Sequence, residues 1–252
     1  MTLKLLHLNI LYGRYIDQLI DYLKHEDFDI LCFQEVGSGR VSAHGTDNFD
    51  EIRTRLGYHG EKIVSWNLAG DKNSNESNAI FFKPVFTVVK RHAEWLKKSP
   101  EPTEYETRNF QDDPRTALYL ELQKEDKRIR IITTHLSWGR TSDDDPNKLE
   151  PGKKLFEFVK TIEKPYILTG DFNVNPDSQI VKMIDSEARN LTTENHITNT
   201  LNPRTHKAPR LFPSGIAVDY IYVTEGVTVK GFKALSDLNI SDHLGLSIEF
   251  EI

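Results

Sequence analysis

The feature that most constrains this chain is a series of short apolar runs, each ending in a polar residue. Leu3 to Ile10, Phe28 to Gln34, Ala79 to Phe82, Thr116 to Gln123, Arg128 to Thr134, Pro165 to Thr169, Val218 to Val223 and Gly245 to Phe250 have strand length and strand composition. Val85 to Lys90 reads as another strand, beyond Pro84. Tyr15 to His25 carries Ile16, Leu19, Ile20 and Leu23 at helical spacing, and Phe49 to Leu56, Lys153 to Ile162 and Asp177 to Ala188 read as further helices. Thr116 to Gln123 and Arg128 to Thr134 form an antiparallel pair across the charged turn Lys124 to Lys127. Directly connected strand pairs mixed with helical crossovers predict a layered α/β architecture. Polar loops over Gly37 to Asp50, Lys97 to Asp113, Ser137 to Gly152 and Asn199 to Gly215 are of a length that usually serves a site or is disordered.

The 252 residues suffice for one sizeable core and read as a single domain, 1–252. Lys and Arg total 32 against 38 Asp and Glu, a formal net charge of −6. That balance excludes a generic basic coat for nucleic acid, while leaving room for a local cationic groove or for a metal that brings its own charge. The lone Cys32, inside Asp29-Ile-Leu-Cys-Phe33, excludes an internal disulfide framework and reads as a small core residue. No apolar stretch reaches membrane-helix length, and the N-terminal segment is too short and interrupted for a secretory leader. The expectation is a cytoplasmic monomer or weak oligomer without integral membrane association.

Three short motifs carry chemistry. In Leu168-Thr-Gly-Asp-Phe-Asn-Val174 a strand ends, and period-two alternation sends Asp171 and Asn173 to one side with Phe172 into the core. An acid and an amide so placed can orient water and hold an anionic oxygen; an Asp-Asn turn serving its own backbone would read the same way. His135 closes Ile131-Ile-Thr-Thr-His-Leu136, where an imidazole suits either developing phosphate charge or a hydrogen-bonded core. Asp242 and His243, in Ser241-Asp-His-Leu244, precede the last strand, placing a metal-type acid beside a substrate-type imidazole. Glu35 and Asn9 end the second and first strands. Hard divalent ions take oxygen ligands and keep several waters, so one or two such carboxylates suffice. With one cysteine and no His-Glu-x-x-His, nothing points to zinc.

Taken together, Leu-Asn-Ile at 8–10, Gln-Glu at 34–35, Asn-Ala-Ile-Phe-Phe at 78–82, Thr-His-Leu at 134–136, Gly-Asp-Phe-Asn at 170–173, Val-Asp-Tyr-Ile at 218–221 and Ser-Asp-His at 241–243 span essentially the whole chain in order. This series resembles the endonuclease/exonuclease/phosphatase (deoxyribonuclease-I-like) superfamily. The resemblance implies an α/β four-layer sandwich: two mixed β-sheets face to face, helices on the outer faces, and the site at one mouth. It implies phosphoester hydrolysis with Mg²⁺, or Mn²⁺, by in-line attack of water. Glu35 is then the principal metal ligand, with Asn9 and Asp242 beside the ion. Asp171 orients or deprotonates the water and Asn173 holds a phosphate oxygen. His243 faces the phosphate with Asp219 behind it, and His135 faces it from the other side with Glu76 orienting its ring. Arg115 resembles a recurrent phosphate contact, and Asn78, beside Glu76, is expected to touch substrate.

Substrate choice is less legible. Arg204, His206, Lys207 and Arg210 form a basic cluster before Asp219, and Leu211-Phe212-Pro213 is either an apolar wedge or a loop anchor. Trp66, Trp95 and Trp138 divide between core and rim, with Trp138, three residues past His135, expected at the pocket. Glu76-Ser-Asn78 stands where abasic-site repair enzymes carry Tyr-Gly-Val, and the inositol-polyphosphate phosphatase signature is missing. The closest style is that of compact bacterial members. A hydrolase of a small phosphate ester, whether metabolite, nucleotide or lipid headgroup, is the leading expectation. A DNA or RNA nuclease using the same site is the alternative, ahead of a catalytically silent binding module.

Overall fold

The structure, a computed structural model, describes residues 2–98, 109–207 and 214–252. In chain order its main elements are β1 (Leu3–Asn9), α1 (Ile16–Glu26), β2 (Ile30–Gly37), α2 (Asn48–Leu56), β3 (His59–Leu68), β4 (Asp71–Phe82), β5 (Thr87–Lys97), β6 (Arg115–Lys124), β7 (Lys127–His135), α3 (Pro146–Lys160), β8 (Tyr166–Asp171), α4 (Gln179–Asp185), β9 (Arg189–Asn190), α5 (Leu191–Glu194), β10 (Asp219–Val223), β11 (Thr228–Ala234) and β12 (Leu246–Glu251). The strands form two six-stranded sheets, ordered β11-β12-β1-β2-β4-β3 and β5-β6-β7-β8-β10-β9. Each is mixed: β1 runs parallel to β2 and antiparallel to β12, and β7 runs parallel to β8 and antiparallel to β6.

Alternation along each strand divides its side chains between two cores. Leu3, Leu5, Ile30 and Ile80 of the first sheet meet Leu120, Ile129, Ile131, Ile167 and Ile221 of the second in a core between the sheets. The opposite residues of the first sheet, among them Leu6, Leu8, Leu31 and Phe81, pack under Ile16, Leu19, Ile20 and Leu23 of α1 and Ile52 of α2. On the far side Tyr119, Ile132, Leu168 and Tyr220 pack under Leu155 and Val159 of α3 and Ile180, Val181 and Ile184 of α4. Helix, sheet, sheet, helix is the four-layer α/β sandwich.

The face between the sheets changes character along its length. Past the apolar residues come His7, Gln34, Asn78, Thr116, Thr133 and Thr169, all fully buried. Gln34 Nε2 crosses the sheets to Thr133 Oγ1 at 2.7 Å, and Asn78 Nδ2 crosses to the Thr116 carbonyl at 3.0 Å. Beyond that polar row lie the strand ends that carry Asn9, Glu35, His135, Asp171 and Asp219. The inter-sheet core thus grades from hydrocarbon to hydrogen bonds to charge, and the charged end opens at the mouth.

Several expected boundaries are corrected. The loop over 137–152 contains the first turns of α3: Asp145 caps the helix, accepting from the backbone N–H of Asn147 and Lys148, and Pro146 stands at its first turn. β3 and β11 had no apolar signal because they are sheet edges with half-exposed, charged sequences. β4 starts at Asp71, well before its apolar half, and β5, another edge, runs on to Lys97. No helix among the described residues is long and apolar enough to cross a membrane.

If the inter-sheet hydrocarbon holds the layers together, Ile131→Ala should lower unfolding stability by about 2–5 kcal/mol. Urea denaturation with an unchanged slope checks this; a loss under about 1 kcal/mol would place the stabilisation elsewhere.

Candidate active site

Strand register assembles the centre. β8 lies between β7 and β10, and Asp171 is the pairing partner of both His135 and Asp219, so the three side chains stand in one row. From the other sheet, Asn9 at the end of β1 reaches across. Its amide Nδ2 donates to Glu35 Oε1 at 3.0 Å and to Asp171 Oδ2 at 3.1 Å, while its Oδ1 accepts from the Leu11 N–H at 3.0 Å. Ser241 Oγ donates to the Asn9 carbonyl, which ties in the segment carrying Asp242 and His243.

Backbone strain concentrates here. Leu11, Tyr12, Glu35 and Asn173 adopt positive φ of 47°, 53°, 51° and 55°, and all four line the same cleft. Non-glycine residues in this region cost free energy and persist only where the surroundings hold them. For Glu35 the cause is a bulge in β2 between Phe33 and Val36, which lets Gln34 turn into the inter-sheet core while Glu35 reaches the cleft. Asn173 corrects the alternation argument. The strand stops at Asp171, Phe172 is fully buried, and Asn173 closes a turn in which its own N–H donates to Asp171 Oδ1 at 3.0 Å. Its side chain donates to the Leu136 carbonyl at 3.2 Å, so the backbone-serving turn and the cleft position coexist.

Two imidazoles converge on Asp171. His135 Nε2 lies 3.6 Å and His243 Nε2 3.7 Å from Asp171 Oδ2. Behind them stand separate carboxylates: Glu76 Oε1 is 3.5 Å from His135 Nδ1, and Asp219 Oδ2 is 2.8 Å from His243 Nδ1. Burial works against charge on both rings, yet the carboxylates outweigh it. His135 is raised by Glu76 and Asp171 despite burial and Arg115, and His243 is raised well above the ordinary imidazole value, chiefly by Asp219 and Asp171. Asp219 is the converse case. Burial alone would push it up, but the imidazoles of His243 and His7 hold it well below the usual carboxylate range.

His7 is the member that sequence reasoning missed. Its Nε2 meets Asp219 Oδ1 at 2.9 Å and its ring is completely buried. The signal was present: in Leu5-Leu-His-Leu-Asn9, His7 shares a strand face with Asn9. Glu35 forms the other half of the site. Burial first, then the charges of Glu76 and Asp242, raise its carboxyl to about 7 even though His135 and Asn9 act the other way. Its Oε2 is buried without a hydrogen-bond partner.

Of the remaining expected residues, Arg115, Trp138, His206 and Lys207 line the cleft. Arg115 is buried between carboxylates, 3.8 Å from Glu76 Oε1 and 3.7 Å from Asp113 Oδ2. Two expectations are corrected. Asn78 is not a cleft residue: it is fully buried, and its Nδ2 donates to both the carbonyl and the Oγ1 of Thr116. Arg204 is exposed and donates to the Asp237 carbonyl at 3.2 Å, outside the cleft lining. Trp66 belongs to the core, and Trp95 is exposed. Arg210 and Leu211-Phe212-Pro213 lie outside the described residues.

Two buried acids on neighbouring strands, imidazoles on both sides of one of them, and a crowded carboxylate nearby thus share the mouth between the sheets. In comparison with known proteins, residues 6–243 match the Endonuclease/Exonuclease/phosphatase family, and the chain belongs to it. It is similar to the CCR4-Not complex 3'-5'-exoribonuclease subunit Ccr4 of Kluyveromyces lactis, 24% identical over 194 residues; these are 68% of this chain but 24% of that protein. The fold matches an endonuclease/exonuclease/phosphatase from Bacteroides vulgatus with a TM-score of 0.76 at 18% identity, covering 100% and 99% of the two chains. It also matches a mannosyl-6-phosphatase of Bacteroides thetaiotaomicron with a TM-score of 0.72 at 19% identity, covering 99% and 100%.

His7→Leu removes the hydrogen-bond partner of Asp219 Oδ1 at a completely buried position. It should cost about 1–3 kcal/mol of stability, read from the urea midpoint. An unchanged midpoint would mean that His7 does not hold Asp219.

Proposed function

We propose that the protein is a divalent-metal-dependent phosphoesterase that hydrolyses a small phosphate mono- or diester by in-line attack of water. The observation that carries this reading is the convergence of both imidazole Nε2 atoms on Asp171 beside a second carboxylate cluster. Asp171 orients the attacking water and takes its proton, held in place by Asn9 and by the Asn173 N–H. His135 and His243 donate to phosphoryl oxygens as negative charge develops, and Glu76 and Asp219 fix the tautomer each ring presents. Asn173 offers its amide to the phosphate, and Arg115 adds charge from beneath.

The residues fit a hard cation. Glu35 carries an orphaned buried oxygen, and Glu35, Glu76 and Asp242 crowd negative charge at one place. Glu35 and Asp242 would hold Mg²⁺ or Mn²⁺, with Asn9 bracing Glu35; its amide oxygen already serves Leu11. When bound, the ion neutralises phosphoryl charge and polarises the bond to be broken. Asp171, Asp219 and His243 also lie close enough to act as a metal-type cluster, but His243 Nδ1 is engaged by Asp219 there, which favours the relay role.

The cleft encloses about 370 Å³, within the range of pockets that hold a small ligand. The mannosyl-6-phosphatase named among the relatives is in keeping with that reading, and the 3'-5'-exoribonuclease with the second one. A nuclease working at a chain end is the second reading, favoured by Arg140, His206 and Lys207 along the cleft. A silent binding module has no use for the complete set of acids and imidazoles.

Two experiments test the assignment. Asp171→Ala or His243→Ala should cut turnover by a factor on the order of 10³ or more while far-UV circular dichroism stays native; full activity in either would sink the mechanism. Separately, Mg²⁺ at about 100 Kd should raise the wild-type melting temperature by roughly 5–10 °C. Glu35→Gln should abolish that shift and leave the metal-free protein at least as stable, because it relieves the crowding. A full Mg²⁺ response in Glu35→Gln would move the metal elsewhere.

A further inference from the structure

Among the described lysines, Lys148 is the one that is completely buried, and it stands in the first turn of α3 behind Asp145 and Pro146. Two costs oppose a cation there. Taking an ammonium out of water is expensive, and the start of a helix carries partial positive charge that favours acids instead. Burial accordingly pushes the Lys148 amine down from its ordinary value, against the pull of Asp145, Asp143 and Asp171. An apolar side chain of that length would avoid both costs, so what the ammonium holds becomes the question.

It holds two backbone carbonyls from separate segments, donating to the Asn173 carbonyl at 2.9 Å and to the Thr141 carbonyl. Gly139 makes room for it: an added Cβ would stand 2.6 Å from Lys148 Cε and 3.1 Å from its Nζ. Gly139, Arg140, Thr141 and Ser142 line the cleft, as does Asn173.

The contact on Asn173 is the informative one. Asn173 stands at φ 55°, a conformation that a non-glycine residue keeps only under constraint. Its N–H donates to Asp171 Oδ1 at 3.0 Å, which anchors the peptide before its Cα, and Lys148 anchors the carbonyl of the peptide after it. Each peptide is planar, so holding both fixes φ and ψ together. The rim has other tethers. Asn175 takes the Ser142 carbonyl through its N–H at 2.9 Å and its side chain at 3.2 Å, and the Gln179 N–H donates to Asp144 Oδ2 at 2.8 Å. None of these duplicates Lys148, which among the described residues is the donor that reaches the Asn173 carbonyl.

We propose that Lys148 is a positioning residue. Its buried ammonium locks the Asn173 turn in the left-handed conformation that aims the Asn173 amide and braces Asp171, and it registers residues 139–142 against that turn. This rests on the phosphoesterase reading above, in which Asp171 steers the water and Asn173 holds the phosphate. Lys148 acts through those two residues; the metal side of the site, Glu35 and Asp242, comes from β2 and from the segment before β12.

The test compares the full chain with Lys148→Met, which keeps a long unbranched stem and removes the donor. Gly139→Ala is the second variant; it keeps the charge and crowds it off its carbonyls. Turnover of p-nitrophenyl phosphate and bis(p-nitrophenyl) phosphate with Mg²⁺ is read beside amide hydrogen exchange. Each variant should lower kcat by roughly 10- to 100-fold, with KM changed less than about threefold, because a displaced turn misaligns the reacting groups. Exchange over residues 171–175 should quicken by roughly tenfold or more while β1 and β2 keep their protection. The Mg²⁺-induced rise in melting temperature should stay that of wild type. The double variant should be no slower than Lys148→Met, because both changes act on one contact. Unchanged exchange overturns the lock, and faster exchange with wild-type kcat overturns its part in turnover. A lowered urea midpoint with kcat intact, or losses that multiply in the double variant, overturns it as well. Should Lys148→Met not fold, Gly139→Ala decides on the same readouts. If wild type turns over neither ester while exchange still quickens in the variants, the phosphoesterase reading fails and the lock stands.

Discussion

Asp171 and Asp219 are buried partners on adjacent strands, and two carboxylates so placed repel unless cations or donors surround them. Most of the mouth of this sandwich answers that requirement. His243 and His7 take one oxygen each of Asp219, Asn9 and the Asn173 N–H take Asp171, and His135 approaches Asp171 from the third side. The donors come from both sheets and from the segment before β12, so the cluster closes only when the layers are stacked. The same arrangement leaves the Nε2 atoms of His135 and His243 facing one carboxylate oxygen across a gap, where the function proposed above puts the phosphoryl group and its water.

The second consequence is local strain. Positioning groups from different strands at one mouth requires chain turns that ordinary strands do not make, and four cleft-lining residues sit at positive φ. The bulge at Glu35 is the clearest case, because it separates two adjacent side chains into different environments: Gln34 bridges the sheets while Glu35 faces the carboxylate cluster. Lys148 does comparable work for the rim, joining it to the Asn173 turn through backbone carbonyls.

Much of this was legible from sequence, and the pattern of what was not is physical. Strands buried on both faces, such as β1, β2, β7 and β8, announce themselves as apolar runs, and their polar terminal residues pointed to the mouth. Edge strands β3 and β11 are half-solvated and charged, so their sequences resemble loops. Asn78 follows the same strand logic as the site residues, but one turn of the pleat places it in the polar row between the sheets rather than at the opening. His7 was hidden because an isolated histidine in an apolar strand has no local partner; Asp219 is 212 residues away. Lys148 was hidden for a similar reason, since Pro151 and Gly152 disguise the first half of α3 as loop. Long-range partners, not local propensity, decide such residues.

The most direct test is to present p-nitrophenyl phosphate, bis(p-nitrophenyl) phosphate and supercoiled plasmid to the same preparation, with Mg²⁺ and with EDTA. The account predicts turnover of a small ester that EDTA abolishes, with little nicking of internal plasmid bonds. Efficient plasmid cleavage would contradict the small-ester assignment, and metal-independent turnover, or none on any of the three substrates by folded protein, would contradict the chemistry assigned to the mouth.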